Sequence, residues 1–340
     1  MNISAKPWNK KEPPKRILAI RLQAIGDTVI TLPYLQYLKN NLPNNTRLDL
    51  LTRDESNNIP KSVYLFDNVY SIGGGRSLKK QFLYTGLLLP QLLLNRYDVV
   101  IDLQNNEVSN FVRKCLLPKA WSSFDRFSSM PAGERTRLTI EAAGLGQCGI
   151  DSNFISKNNK DEIDLLIKNG WDVKNGLVIL NPAGAFENRN WPIDYYILFA
   201  TTWLQQFPDT QFLILGTKFI EEKASYLRNK LTGHLINLVD KTTPEQAFSI
   251  VQKTKLVISE DSGLMHMAWV SGIPTIAIFG STRSDWAKPL GPHTFFFDSS
   301  DLECGNCMQP VCKYGTNHCM VRITPEMVFE KAIALIETLK

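Results

Sequence analysis

The chain has 340 residues, 44% of them hydrophobic and 21% charged, the profile of a soluble globular protein too long for one ordinary core, so two domains are expected. The net charge is +5, and residues 1–170 hold 23 Lys+Arg against 16 Asp+Glu, an excess that suits an anionic partner and ordinary surface lysines about equally. The opening "MNISAKPWNKKEPPKR" has no apolar core behind its charges, which excludes a secretory signal and predicts a cytoplasmic protein; no run reaches the ~20 apolar residues of a spanning helix.

Apolar runs of strand type alternate with helix-type segments. Strands are expected at 16–22, 47–52 and 98–103, with helices near 28–41 and 78–95. In the second half strands are expected at 176–182, 211–216, 235–239, 256–260 and 274–280. Helices near 193–206, 219–231, 244–252 and 263–271 separate them. A last helix over 325–338 is free to pack on either half. Strands apolar on both faces and joined by helices indicate α/β domains with parallel sheets covered on both sides. The polar stretch 156–162 is the linker candidate, giving domains 1–160 and 161–340. The segment 79–97 sets two lysines before a mostly apolar stretch interrupted by Gly86 and Pro90. A buried crossover helix is the expectation, and a helix lying on a bilayer the alternative.

Ligands of parallel sheets gather at the carboxyl ends of the strands, where Asp27, Asp102, Asn181 and Asp261 all fall. In "RLQAIGDTVITLP" (21–33), Gly26 and Asp27 fill the turn before a helix. Asp27 either caps that helix or takes a proton. In "SEDSGLMH" (259–266), Gly263 lets backbone approach closely at a helix start, where free N–H groups and the helix dipole attract phosphate. Ser262 adds a hydroxyl, and His266 lies one turn on. A capped helix with a core histidine explains the same residues. In "NPAGAFENRNWP" (181–192) the loop delivers Arg189, a permanently charged fork suited to a diphosphate or simply to solvent. Glu222, beginning a helix after the 211–216 strand, can accept from ribose hydroxyls or answer the helix dipole. No G-x-G-x-x-G follows the first strand and no G-x-x-x-x-G-K-[ST] occurs, so dinucleotide and P-loop readings lack their main support.

Together these segments resemble family 9 of the glycosyltransferases, the lipopolysaccharide heptosyltransferases. The matching pieces are "ILAIRLQAIGDTVITLP", "YDVVIDLQNN", "NPAGAFENRNWP", "FLILG", "SEDSGLMHMAWVSGIPTIAIFGSTRSDWAKPLGP" and "CGNCMQPVCKYGTNHCMVRITPEMV". They run in family order over nearly the whole chain. The resemblance implies a GT-B fold, two Rossmann-like domains facing across a cleft, with the acceptor on the first and the nucleotide sugar on the second. It implies an inverting transfer of heptose from ADP-heptose to the inner core of lipopolysaccharide, at a lipid-linked anionic acceptor. Peripheral contact with the cytoplasmic face of the inner membrane follows from that acceptor. By the same resemblance Asp27 is the general base, with Gly26 and Gln104 on the acceptor side. Arg189 stands where many members carry lysine. Glu222, Asp261, Ser262, Gly263 and His266 fall to the nucleotide sugar. Asp261 is left with three roles: a sugar hydroxyl, a cation or a cap. No organic cofactor is implied, and the need for a divalent ion is not decided.

Cys304, Cys307, Cys312 and Cys319 have the spacing C-x₂-C-x₄-C-x₆-C, close to a zinc-knuckle pattern. Four thiolates would close a structural site; zinc and iron both accept them, and free thiols or disulfides are the alternative. Cys115 and Cys148 read as isolated packed thiols. Two rival functions differ in class or substrate. One is a GT-B enzyme using another nucleotide sugar or acceptor. The other is a Cys₄-metal nucleic-acid-binding protein, for which the chain lacks interleaved basic and aromatic residues, so no nucleic-acid partner is expected.

Overall fold

In a computed structural model, which describes residues 2–157 and 160–338, the apolar runs become strands of two sheets, all of them inner except Leu235–Val239. The chain divides into two compact units, Met1–Lys157 and Asn158–Lys340.

The first unit runs β1 (Ser4–Lys6), β2 (Arg16–Ile20), α1 (Ile25–Asn40), β3 (Arg47–Arg53), α2 (Asn58–Ser62), β4 (Asn68–Ile72), α3 (Leu78–Leu94), β5 (Val99–Asp102), α4 (Glu107–Leu116), β6 (Ala120–Ser123) and α5 (Ala132–Ala142). Its sheet has the order β1-β6-β5-β2-β3-β4. All pairings are parallel except β1, which joins β6 antiparallel through Ser4–Ser123. Ile17, Leu18, Ala19 and Ile20 of β2 are all fully buried, as a central strand covered by helices on both faces requires.

The second unit runs α6 (Lys160–Lys168), β7 (Gly176–Asn181), α7 (Ile193–Gln206), β8 (Thr210–Gly216), α8 (Glu221–Lys230), β9 (Leu235–Val239), α9 (Pro244–Val251), β10 (Leu256–Glu260), α10 (Gly263–Val270), β11 (Thr275–Ile278), α11 (Ser284–Ala287), β12 (Thr294–Phe297), α12 (His318–Val321) and α13 (Pro325–Thr338). The strand order is β12-β11-β10-β7-β8-β9, wholly parallel. Its core joins Trp191, Tyr196, Phe199, Phe212, Ile258 and Met320. The closing helix α13 packs on α7, with Phe329 edge-on to both Phe199 and Trp203. The choice left open by the sequence therefore falls to the second unit.

Two further expectations are corrected. The four strands not read from the sequence are β1, β4, β6 and β12. They are short, and three of them lie at sheet edges, where a one-sided environment relaxes the demand for continuous apolar residues. The division between the units falls within the linker candidate 156–162; its residues 158 and 159 lie outside the described residues, and α6 begins at Lys160 with Asp161 and Glu162 in its first turn, where acids favour a helix start. Helix α3 is the crossover between β4 and β5 but is buried on one face only: Leu83, Leu87 and Leu94 are exposed, while Gln81, Thr85 and Leu92 face inward.

Candidate active site

In the first unit the turn after β2 carries Gly26 and Asp27 into α1. Asp27 Oδ2 accepts from the Ala24 N–H at 3.1 Å, which caps the helix start. Its Oδ1 meets the Arg21 guanidinium at 2.9 Å, and the carboxylate keeps 41% of its surface exposed. Both halves of the sequence question are thus compatible: the residue caps and remains open to solvent. Arg21 is buried. It donates to the Leu103 carbonyl and lies over the Phe124 ring at 5.1 Å, so its charge is held in one place beneath Asp27.

Gln104 is buried, and its Oε1 accepts from the amides of Leu22 and Gln23 at 3.0 and 3.1 Å. It shapes the turn that presents Gly26. Asp102, at the end of β5, is buried and accepts from the amides of Gln104 and Asn105 at 3.1 and 2.8 Å. Burial raises its carboxyl above the ordinary range, against those hydrogen bonds and the Arg113 charge. A depression of about 520 Å³ opens beside the turn, lined by Gln23, Gly26, Arg53, Glu55 and Arg76 among others. Arg53 donates to Gln23 Oε1 at 2.7 Å and forks onto both oxygens of Glu55, which holds the Glu55 carboxyl below its ordinary range. The loop carrying Arg76 is shaped by Gly74: at φ +103° a side chain there would also strike the Gln81 amide, 2.7 Å away.

In the second unit the ends of β7 and β10 lie side by side, with Ser259 paired to Asn181 in the parallel register. Asn181 Nδ2 donates to Ser259 Oγ at 2.8 Å and to Ser262 Oγ at 2.7 Å. Ser262 in turn caps α10 by accepting from the Met265 N–H at 3.4 Å. Above Gly263 the space is open, with no atom within 4 Å of where a Cβ would stand. The amides at this helix start are thus accessible to an anion. Arg189 and Asp261 come together at 3.6 Å. Arg189 also lies over Phe186 at 4.9 Å, and its buried Nε has no hydrogen-bond partner. His266 is buried, and its Nδ1 accepts from Trp269 Nε1 at 3.1 Å. That contact leaves the proton of a neutral ring on Nε2. Glu222 is exposed in the first turn of α8, and no hydrogen bond or ion pair joins it to the Arg189–Asp261 group.

Sequence reasoning missed the clamp beneath this loop. Glu260 is fully buried. Its Oε2 accepts from the Gly184 N–H at 2.5 Å and its Oε1 from the Trp191 N–H at 2.7 Å. Lys223 donates to the Pro182 carbonyl at 2.9 Å and to Asn190 Oδ1 at 2.7 Å. Two charged side chains therefore tie both ends of the loop that carries Arg189. Burial pushes the Glu260 carboxyl up to about 7, opposed by the nearby Lys223 charge and the amide hydrogen bonds. The signal was present in the sequence: a carboxylate ends the otherwise apolar run "LVISE".

Cys304, Cys307, Cys312 and Cys319 line one cavity of about 60 Å³, with His318 also at its wall, and all four thiols are free. Amides of Tyr314, Asn317, Thr316 and Gly315 point at Cys312 and hold its thiol below the usual range. In kind these donors suit a thiolate-bound metal, and they share one cavity wall. Among the described residues, however, no three His, Cys, Asp or Glu side chains are drawn together closely enough to grip one.

Residues 137–318 match the model of glycosyltransferase family 9 (heptosyltransferase). The chain is 26% identical to lipooligosaccharide heptosyltransferase 2 of Campylobacter jejuni subsp. jejuni serotype O:6 over 317 residues, 90% of this chain and 95% of the relative. Among solved structures, a family 9 glycosyl transferase from Veillonella parvula superposes with a TM-score of 0.79 at 17% identity, covering 95% of this chain and 97% of that one. ADP-heptose lps heptosyltransferase II of E. coli superposes with a TM-score of 0.70 at 17% identity, covering 95% and 99%. The fold is GT-B, and with more than half of its length matched by the family model, this chain belongs to glycosyltransferase family 9, the heptosyltransferases.

Proposed function

We propose that this transferase moves a heptose from ADP-heptose to the inner core of lipopolysaccharide, with inversion at the anomeric carbon. The observation that carries this reading is the exposed Asp27 carboxylate, fixed by Arg21 and the Ala24 amide at the carboxyl end of β2, in a chain of family 9. A sugar hydroxyl is a weak nucleophile. As its oxygen bonds to the anomeric carbon, its proton passes to Asp27, a contribution of ~10²–10⁴-fold. The bond from that carbon to the diphosphate oxygen breaks, and ADP leaves with the electron pair. Negative charge then grows on the diphosphate, where the Gly263 helix start, Ser262 and Arg189 offer donors in place before the reaction. Asp261, paired with Arg189, orients that guanidinium. His266 supplies the Nε2 proton set by Trp269. The depression beside Gly26, with Arg53 and Arg76, suits an anionic saccharide.

The reading also includes a structural metal on Cys304, Cys307, Cys312 and Cys319, outside the transfer chemistry. Elemental analysis of the purified chain is expected to show zinc or iron near one equivalent; a trace amount removes it. The function itself is tested by a donor screen with ADP-heptose, UDP-sugars and GDP-sugars against Kdo-containing lipid acceptors, following nucleotide release. Release with ADP-heptose alone is expected. Turnover confined to another nucleotide sugar overturns the assignment.

A further inference from the structure

Helix α3 carries apolar side chains on both its inward and its outward face. Its inward face bears Gln81, Thr85 and Leu92 at helical spacing, with Phe82 and Leu88 partly buried against the same core. Its outward face repeats as Leu83, Leu87 and Leu94, which are 62%, 71% and 84% exposed. At 100° per residue these three leucines lie within 40° of one another. A surface helix ordinarily turns charged and polar side chains to solvent instead. Single exposed leucines are common, but an aligned row of them marks an interaction site. Phe111 of α4, itself partly exposed, packs edge-on against Phe82 of α3 at 5.6 Å and widens the apolar surface.

The charges around this row select its partner. From Gly73 to Tyr97 the chain has no acidic residue and four cations, Arg76, Lys79, Lys80 and Arg96. Lys79 and Lys80 sit one turn before Leu83, on either side of the row. No helix among the described residues is long and apolar enough to cross a membrane; this one, of 17 residues, spans only about 25 Å. A two-fold pairing with a second copy would set like charges against each other. The β4–α3 loop also carries Arg76, which lines the depression beside Gly26, only two residues before α3 begins.

We infer that the outward face of α3 is a membrane-docking surface. Leu83, Leu87 and Leu94 enter the boundary between head groups and acyl chains of an anionic bilayer, and Lys79 and Lys80 meet lipid phosphates. The placement of the neighbouring depression at the lipid surface rests on the proposed lipid-linked acceptor; the docking itself does not.

The test is flotation of the full chain with vesicles of phosphatidylethanolamine and phosphatidylglycerol, and with phosphatidylcholine alone. The parent chain floats with the anionic vesicles. Leu83→Gln, Leu87→Gln and Leu94→Gln combined weaken this by about a hundredfold, because three apolar side chains lose their burial. Circular dichroism and turnover on a delipidated soluble acceptor stay unchanged. Lys79→Gln with Lys80→Gln removes the preference for phosphatidylglycerol. Flotation of the triple variant equal to the parent's overturns the inference. So does a lipid-free dimer, seen by sedimentation, that the triple variant dissociates. A chain that floats but transfers no heptose refutes the functional reading alone; one that transfers to soluble acceptor but never floats refutes the docking alone.

Discussion

Replacing Asp27 by Asn separates proton transfer from structure. The carboxylate divides its two oxygens between the Ala24 amide and the Arg21 guanidinium. An amide has one oxygen, so one of these donors faces an NH₂ group instead. The pair is partly exposed and screened, and its loss should cost only ~0.5–1 kcal/mol of stability. Catalysis responds on another scale. Without a proton acceptor the barrier rises by about 3–5 kcal/mol, a loss of ~10²–10⁴ in kcat. The proposed donor-binding groups belong to the second unit, at the ends of β7 and β10, so the dissociation constant for ADP-heptose should stay within about twofold. Steady-state ADP release, calorimetric donor binding and thermal melting on one preparation measure all three. If kcat falls by less than about threefold, Asp27 is a cap and not a base. If kcat falls only in step with donor affinity and melting temperature, the loss is structural.

Glu260→Gln should orphan one of two buried loop amides, at a cost of ~1–3 kcal/mol. It should also raise the donor KM more than it lowers stability elsewhere in the unit. The Glu260 carboxyl is raised to about 7 in the folded state from 4.5, so the folded chain binds more protons between these values. Its contribution is complete below about pH 4.5 and is lost as pH rises through about 7. The parent's stability relative to the Gln variant should therefore shrink over that window; a constant gap between pH 5 and 8, measured by urea melts, would refute it. At Gly184 an added Cβ would stand 2.6 Å from the Arg189 carbonyl and 2.7 Å from Glu260 Oε2. Gly184→Ala should cost ~1–3 kcal/mol and displace Arg189, read as lost donor affinity; a normal donor KM would count against the clamp. Arg189→Ala should lower kcat by about tenfold to a hundredfold by removing a leaving-group donor, and it should leave acceptor KM unchanged in initial-rate assays.

Every inner strand but β6 was legible because a parallel sheet buries both faces, which writes continuous apolar runs such as "ILAI" and "LVI" into the sequence. The turns at their carboxyl ends located Asp27, Arg189, Asp261 and Ser262 for the same reason. The short polar edge strand β1 carries no apolar pattern and emerged only from its pairing. Which charges pair was not readable either. Arg21 with Asp27, and Glu260 with the Gly184 and Trp191 amides 76 and 69 residues away, depend on where the chain returns, and spacing along a sequence carries no such information. The direction in which α3 turns its leucines was likewise decided by packing. An apolar run of that length fits burial or a surface equally well until a neighbouring sheet claims one face, and here the sheet claimed the face bearing Gln81 and Thr85. Sequence alone determined the strand and helix periods and the residues at strand ends. Tertiary structure decided which of those residues meet, because the free energy of a buried contact exists only once distant segments have excluded water between them.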